Sequence, residues 1–308
     1  MKCRNFPFWI NRTIVVGLCC AIFIPVSYPQ QGLRIPECAE TSKTHENLNA
    51  VLWVSTSVEF RHAAIQAFRL AASQLKEGLA DPTWTAATEQ DGEFGTLPPA
   101  VILDVDETVL DNSPAQAATL VNATGMFSDA EWASWVELSK AKAIPGAADF
   151  LHAAAKQGVH LFYVTNREKD QEAATIRNLK AVGFPFADEE HVMVKNEQEG
   201  WGSDKTSRRR YVTDRYRVLL LVGDDANDFI GGMRADLRKR SALWQTHEAQ
   251  LGTKWILIPN PTYGSWENAM WGGGYAQSRN ASIKARCGVL EFMLNEPSTP
   301  EDQPSRTP

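Results

Sequence analysis

Ala100-Val101-Ile102-Leu103-Asp104-Val105-Asp106-Glu107-Thr108 changes character in mid-stretch, four apolar residues giving way to three acids within four positions. A short, wholly apolar run has no alternation to serve one wet face, so it reads as a central strand of a parallel sheet, buried on both sides. The acids then lie at the carboxyl end of that strand, where open α/β sheets bind their ligands. Asp104 and Asp106 are two residues apart and share a side in extended backbone. A solvated acidic turn is the plainer alternative, but it gives no reason for this density of acids directly after a buried strand.

Further along the chain, the apolar run 218–222 ends in Gly223-Asp224-Asp225-Ala226-Asn227-Asp228 and repeats the arrangement. If both strands are central and parallel, their carboxylates converge and repel one another unless a cation sits among them. Oxygen ligands select a hard ion, and Mg²⁺ suits a few carboxylates that leave room for water and phosphate. Between the two clusters, Thr165-Asn166-Arg167 follows an expected strand at 159–164, and Lys205 begins an expected basic helix at 203–216. Each offers a donor to a phosphate, although alone each is more often structural or solvated. Further strands at 191–194 and 255–258, and helices at 147–157 and 168–182, alternate along the chain. The pattern predicts an α/β fold with a central parallel sheet flanked by helices.

The flanks are simpler. Apolar residues at helical spacing over 46–79 predict one long or broken helix, with Gly78 and Pro82 as stops, and the Thr-, Gly- and Pro-rich stretch 81–99 a connecting loop. Ser128-Asp129-Ala130-Glu131 matches a capping box that opens a helix carrying Trp132 and Trp135, inside a cap insertion around 113–143. One domain is expected over 40–295, and the polar, Pro-rich tail 296–308 is expected to be disordered.

The chain has 308 residues, 44 % hydrophobic and 22 % charged, the balance of an ordinary folded protein. A net charge of −6 gives no general attraction to nucleic acid, and Arg208-Arg209-Arg210 is too short a basic run to reverse it. Lys2, Arg4 and Arg12 precede an apolar run at 14–26, too short to span a bilayer as a helix. Residues 1–28 therefore read as a secretory signal, with an uncleaved anchor as the alternative. Three of the five cysteines fall in this leader. In an exported chain the other two, Cys38 and Cys287, are free to form a disulfide, buried thiols being the alternative. No CxxC spacing supports cysteine metal chemistry, and GxSxG, GxxxxGK[ST] and GxGxxG are all missing.

The order DxDxT, Thr, Lys, GDxxxD resembles the four-motif signature of the haloacid dehalogenase-like (HAD) superfamily. Seven segments, DVDETVLDNSP (104–114), EWASWV (131–136), IPGA (144–147), FYVTNR (162–167), SDKTSR (203–208), GDDANDF (223–229) and NPTYGSW (260–266), are similar to the class C bacterial acid phosphatases. The resemblance implies a Rossmann-like HAD core with a small, mainly helical cap. It also implies Mg²⁺-dependent hydrolysis of phosphomonoesters such as nucleoside monophosphates and aryl phosphates. By the same resemblance Asp104 is the nucleophile and Asp106 the general acid and base. Thr165 and Lys205 bind the transferring phosphoryl oxygens, and Asn166 and Arg167 bind substrate. The metal falls to Asp104, the Asp106 carbonyl and Asp224, with Asp228 as a ligand or beside the ligands, and Trp132 and Tyr263 stack on the substrate base.

Ala115 stands where the family commonly has an aromatic residue. Leu18 before Cys19, and Cys19 before Cys20, are not the small residue of a lipobox. The expected setting is exported, periplasmic or at the cell surface, either soluble or held by the leader, and the sequence is compatible with a homodimer. The expected partner is a small phosphomonoester, not a nucleic-acid polymer. A phosphotransferase of the same fold and a non-catalytic exported binding protein are the competing readings. The joint presence of Asp104, Asp106, Thr165, Lys205 and Asp224 speaks against the second.

Overall fold

In a computed structural model the described residues are 45–121, 127–272 and 278–295; the leader, Cys38 and the tail 296–308 lie outside them. Two helices open the described chain, α1 (Leu48–Thr56) and α2 (Val58–Ala80), where the sequence predicted one long or broken helix. The break falls at Ser57, whose extended backbone ends α1 and whose hydroxyl accepts from the Phe60 amide to start α2. Strand β1 (Pro99–Leu103) follows, then a two-residue strand β2 (Leu110–Asp111) and the cap helices α3 (Ser113–Val121) and α4 (Asp129–Leu138). Ser128 caps α4 by accepting from the Glu131 amide, as the capping box predicts. Strand β3 (Lys142–Ala143) returns antiparallel to β2, so the cap rises from a two-stranded ribbon next to the end of β1.

The core then alternates: α5 (Ala147–Lys156), β4 (His160–Glu168), α6 (Glu172–Ala181), β5 (Val192–Lys195), α7 (Thr206–Thr213), β6 (Arg217–Gly223), α8 (Leu237–Gln245) and β7 (Trp255–Leu257). Short α9 (Ser265–Asn268) and α10 (Arg279–Asn295) complete the described chain, and Cys287 on α10 is disulfide-bonded. The five long strands form one parallel sheet in the order β5-β4-β1-β6-β7, with β1 in the centre.

The alternation of β1 sorts its residues between two cores. Val101 and Leu103 pack with Phe68, Leu75, Phe150 and Leu179 of α2, α5 and α6. Ala100 and Ile102 pack with Val212 of α7 and with Phe229 and Trp255. Gly146, at φ +92°, lets α5 approach α2, because a Cβ there would lie 3.1 Å from the Ile65 Cα.

Three expectations need correction. Strand β4 does not stop at Val164: after a register shift it pairs again at Glu168 with Lys195 of β5, so Thr165, Asn166 and Arg167 lie within the strand. Helix α7 is shorter than the predicted 203–216, and Lys205 occupies its N-cap. The stretch 81–99 is more than a connector. Its Ala86 amide and Trp84 indole donate to the Val218 and Leu219 carbonyls, and the Gln90 side chain donates to the Thr213 and Tyr216 carbonyls. Among the described residues no helix is long and apolar enough to cross a membrane.

Candidate active site

Register brings the two acidic clusters together. Leu103 pairs with Val222, and the Asp104 amide donates to the Val222 carbonyl at 2.9 Å, so Asp104 and Asp224 leave neighbouring strands side by side. Asp104 keeps the parity of Ala100 and Ile102, the face that α7 covers, and there it meets Lys205. The buried Lys205 ammonium donates to Asp104 and, at 2.6 Å, to Asp228. Asp228 is aimed by a short turn in which its second oxygen accepts from the Asp225 amide at 2.9 Å. Gly223 makes room for it, since a Cβ at that position would lie 2.5 Å from the Asp228 Cβ.

Asp224 is half-buried and accepts from Asn260 at 2.7 Å and from Thr108 at 3.1 Å. Oxygens of Asp104, Asp224 and Asp228 all lie within 4.8 Å of one another. Burial, reinforced by Asp228 and Asp106, pushes the Asp104 carboxyl up to about 7 against the pull of Lys205. Burial and the neighbouring acids raise Asp224 and Asp228 as well. Burial opposes the charge on Lys205, but Asp104 and Asp228 outweigh it and raise its pKa. Three crowded oxygen donors with one ammonium among them, their charged forms disfavoured, form a donor set that fits a hard divalent cation.

Asp106 sits beside this cluster in a separate harness. Arg167 grips it from its ε nitrogen and a terminal nitrogen, at 3.0 and 2.7 Å, Thr165 donates to its other oxygen at 3.1 Å, and Asn112 donates at 2.9 Å. Arg167 is buried, and its remaining terminal nitrogen donates to Thr175, so its donors face protein groups rather than an open pocket. The Asn166 amide is likewise engaged, donating to the Ser203 carbonyl and accepting from Arg208. Trp132, in the cap, lies with its ring centroid 5.7 Å from the Arg167 guanidinium carbon. Tyr263 donates its hydroxyl to Glu107, a buried carboxyl at φ +59° that also accepts from the Asn112 amide. Burial, with Asp106 nearby, holds Glu107 well above the usual carboxylate range.

Several residues of the site escaped the motif reading. Arg208 donates to the Thr165 carbonyl, to Asn166 and to the Gly202 carbonyl, joining β4 to the segment that carries Lys205. Arg209 pairs with Glu89 and donates to the Asn227 and Asp228 carbonyls, which fixes the second acidic turn. Both arginines are fully buried, although in sequence they form a basic run that looks solvated. Asn112, Arg208 and Asn260 fall inside quoted motifs, so the motifs were the available signal. For Glu89 there was none.

The fold that carries this site, with an aspartate pair after one strand and a metal-compatible acidic turn after the next, has counterparts among known proteins. The family model for the HAD superfamily, subfamily IIIB (acid phosphatase), matches residues 41–266. The crystal structure of the class C acid phosphatase from Bacillus anthracis with tungstate bound superposes with a TM-score of 0.71, at 33 % identity, covering 83 % of this chain and 99 % of that one. A second structure of the Bacillus anthracis enzyme gives a TM-score of 0.69 at 32 % identity, covering 83 % and 98 %. Acid phosphatase 1 of Solanum lycopersicum is 27 % identical over 251 residues, 74 % of this chain and 92 % of its own length. The chain is therefore a class C acid phosphatase of the HAD superfamily, a phosphomonoesterase built on this fold.

Proposed function

We propose that the protein hydrolyses phosphomonoesters, among them nucleoside monophosphates and aryl phosphates, through an aspartyl-phosphate on Asp104. The observation that carries the proposal is the Lys205 ammonium shared between buried Asp104 and Asp228, with Asp106 held separately beside them. Two acids with different partners suit two different roles. An Asp104 carboxylate oxygen attacks phosphorus as the bond to the ester oxygen breaks, and Asp106 delivers a proton to the departing alkoxide. Water then attacks the same phosphorus, Asp106 takes its proton, and the acyl phosphate bond breaks to release phosphate and free Asp104.

Lys205 holds Asp104 in place and meets the charge of the phosphoryl group, and Thr165 lies within reach of the same region through Asp106. Mg²⁺, held by Asp104, the Asp106 carbonyl and Asp224 with Asp228 alongside, would neutralise charge on the phosphoryl oxygens. Support for an oxyanion site also comes from the Bacillus anthracis relative, whose structure contains tungstate. Trp132 and Tyr263 offer aromatic surface to a substrate ring. The basic, apolar leader supports export to the periplasm or cell surface.

The test is phosphate release from a nucleoside monophosphate and an aryl phosphate, with Mg²⁺ or EDTA, by wild type and Asp104→Asn. Turnover that requires Mg²⁺ and vanishes in Asp104→Asn supports the proposal. Turnover that survives Asp104→Asn in a metal-free sample overturns it.

A further inference from the structure

Of the three clustered carboxylates, Asp104 and Asp228 are held by the Lys205 ammonium they share, and Asp224 is held differently. Among the described residues its partners are two neutral side chains, one on each oxygen: Asn260 at 2.7 Å and Thr108 at 3.1 Å. Each oxygen keeps acceptor capacity for a cation while a hydrogen bond fixes its direction.

Asn260 reaches Asp224 because β7 runs parallel beside β6. Gly223 pairs with Leu257, and the Ile258 amide donates to the Gly223 carbonyl at 2.8 Å, so both residues leave the carboxyl ends of neighbouring strands. The Asn260 side-chain oxygen accepts from the Thr262 amide at 2.9 Å and from the Thr262 hydroxyl at 2.6 Å. A backbone amide can only donate, so the Asn260 oxygen must face Thr262 and its NH₂ group must face Asp224.

Thr262 is buried and is itself held from far along the chain. Asn47 stands at the N-cap of α1, where an Asn side chain ordinarily accepts from the first amides of the helix. It makes no such bond, and donates instead to the Thr262 carbonyl at 2.8 Å, across 215 positions of sequence. A cap residue that gives up its own helix for a distant loop marks a constraint other than helix stability.

We infer that Asn260 is a positioning residue that aims Asp224 at the divalent cation, and that Asn47 sets Asn260 through Thr262. The inference rests on the metal-assisted phosphatase reading above and adds to it which residues tune the affinity for the cation.

The test is the Mg²⁺ dependence of the melting temperature of the full chain, without substrate, for wild type, Asn260→Ala, Asn260→Leu and Asn47→Ala. The rise in melting temperature with Mg²⁺ concentration gives the dissociation constant. Loss of this hydrogen bond should raise that constant by about 10–100-fold in either Asn260 variant. In Asn47→Ala the rise should be smaller, about threefold, since Thr262 still holds Asn260 directly. Cooperative melting of the metal-free variants establishes that they fold, and one folded Asn260 variant suffices. Phosphate release by that variant should recover toward wild type as Mg²⁺ is raised, which a merely misfolded loop would not allow. A folded Asn260 or Asn47 variant that binds Mg²⁺ as tightly as wild type overturns this inference and leaves the phosphatase reading standing. Wild-type melting that Mg²⁺ does not raise and EDTA does not lower overturns the metal-assisted reading and this inference with it.

Discussion

At the carboxyl ends of β1 and β6, within β4 and at the N-cap of α7, Asp104, Asp106, Thr165, Lys205, Asp224 and Asp228 are each held by a charged or polar side chain. In the cap Val121 and Phe127 are 86 and 62 % exposed. The floor is a closed network in which moving one charge strands another. The cap stands on a two-stranded ribbon and carries exposed apolar side chains. A buried charge without its partner costs several kcal/mol, whereas an exposed apolar residue costs little to exchange. Substitutions in the floor should therefore cost more than substitutions in the cap.

The most direct way to break the comparison is Lys205→Met. In the floor it leaves Asp104 and Asp228 facing each other without their shared cation, which should cost about 3–5 kcal/mol of stability. The phosphoryl group also loses a charged donor, so kcat should fall by about 10³-fold. Thermal melting and phosphate release measure the two effects. A variant as stable and active as wild type would show that the ammonium is dispensable.

A metal titration asks the same of the intact floor. Burial and mutual repulsion hold Asp104, Asp224 and Asp228 above their ordinary range, and a bound cation relieves that penalty in the folded state only. Mg²⁺ at a hundred times its dissociation constant should therefore stabilise the protein by about 2.7 kcal/mol, read as a rise in melting temperature that EDTA reverses. Trp132→Ala should show the same rise. If it does not, floor and cap are not separable.

The unequal legibility of the two regions has physical causes. A strand buried on both faces must be apolar throughout, so the run 100–103 and the run before Gly223 announce β1 and β6, and the acids that follow mark the floor. Arg208 and Arg209 could not be placed the same way, because three consecutive arginines look alike whether solvated or paired. Arg209 is paired with Glu89, 120 positions away in a stretch whose composition says only loop. The Ser57 break between α1 and α2 was likewise hidden, since apolar spacing continues across it and the cap at Ser57 is a local backbone choice. The extension of β4 through Arg167 depends on re-pairing with β5, which strand patterning does not encode.

Arg167 stands on the boundary between floor and cap, and its substitution sharpens the comparison at the next level of effect. The resemblance gives it to substrate, but its donors are occupied by Asp106 and Thr175. Arg167→Met should therefore lower kcat by about 10²-fold through a misplaced acid, with KM changed little. A large rise in KM at unchanged kcat would return Arg167 to substrate binding and move the boundary downward.

The smallest effect belongs to the cap itself. Trp132 is half-buried and touches the catalytic machinery only through the face of its ring beneath Arg167, whose grip on Asp106 does not depend on it. Removing the indole from Trp132→Ala takes away apolar surface offered to a substrate ring and a cation–π contact of about 0.5–1 kcal/mol. KM for an aryl phosphate should rise by about fivefold, kcat should stay within about twofold, and melting should change by less than in Lys205→Met. Equal losses in kcat and kcat/KM would mean that the ring is needed in the transition state through Arg167 and Asp106. The cap would then be part of the chemistry, and the division between fixed floor and exchangeable cap would fail at its most exposed tryptophan contact.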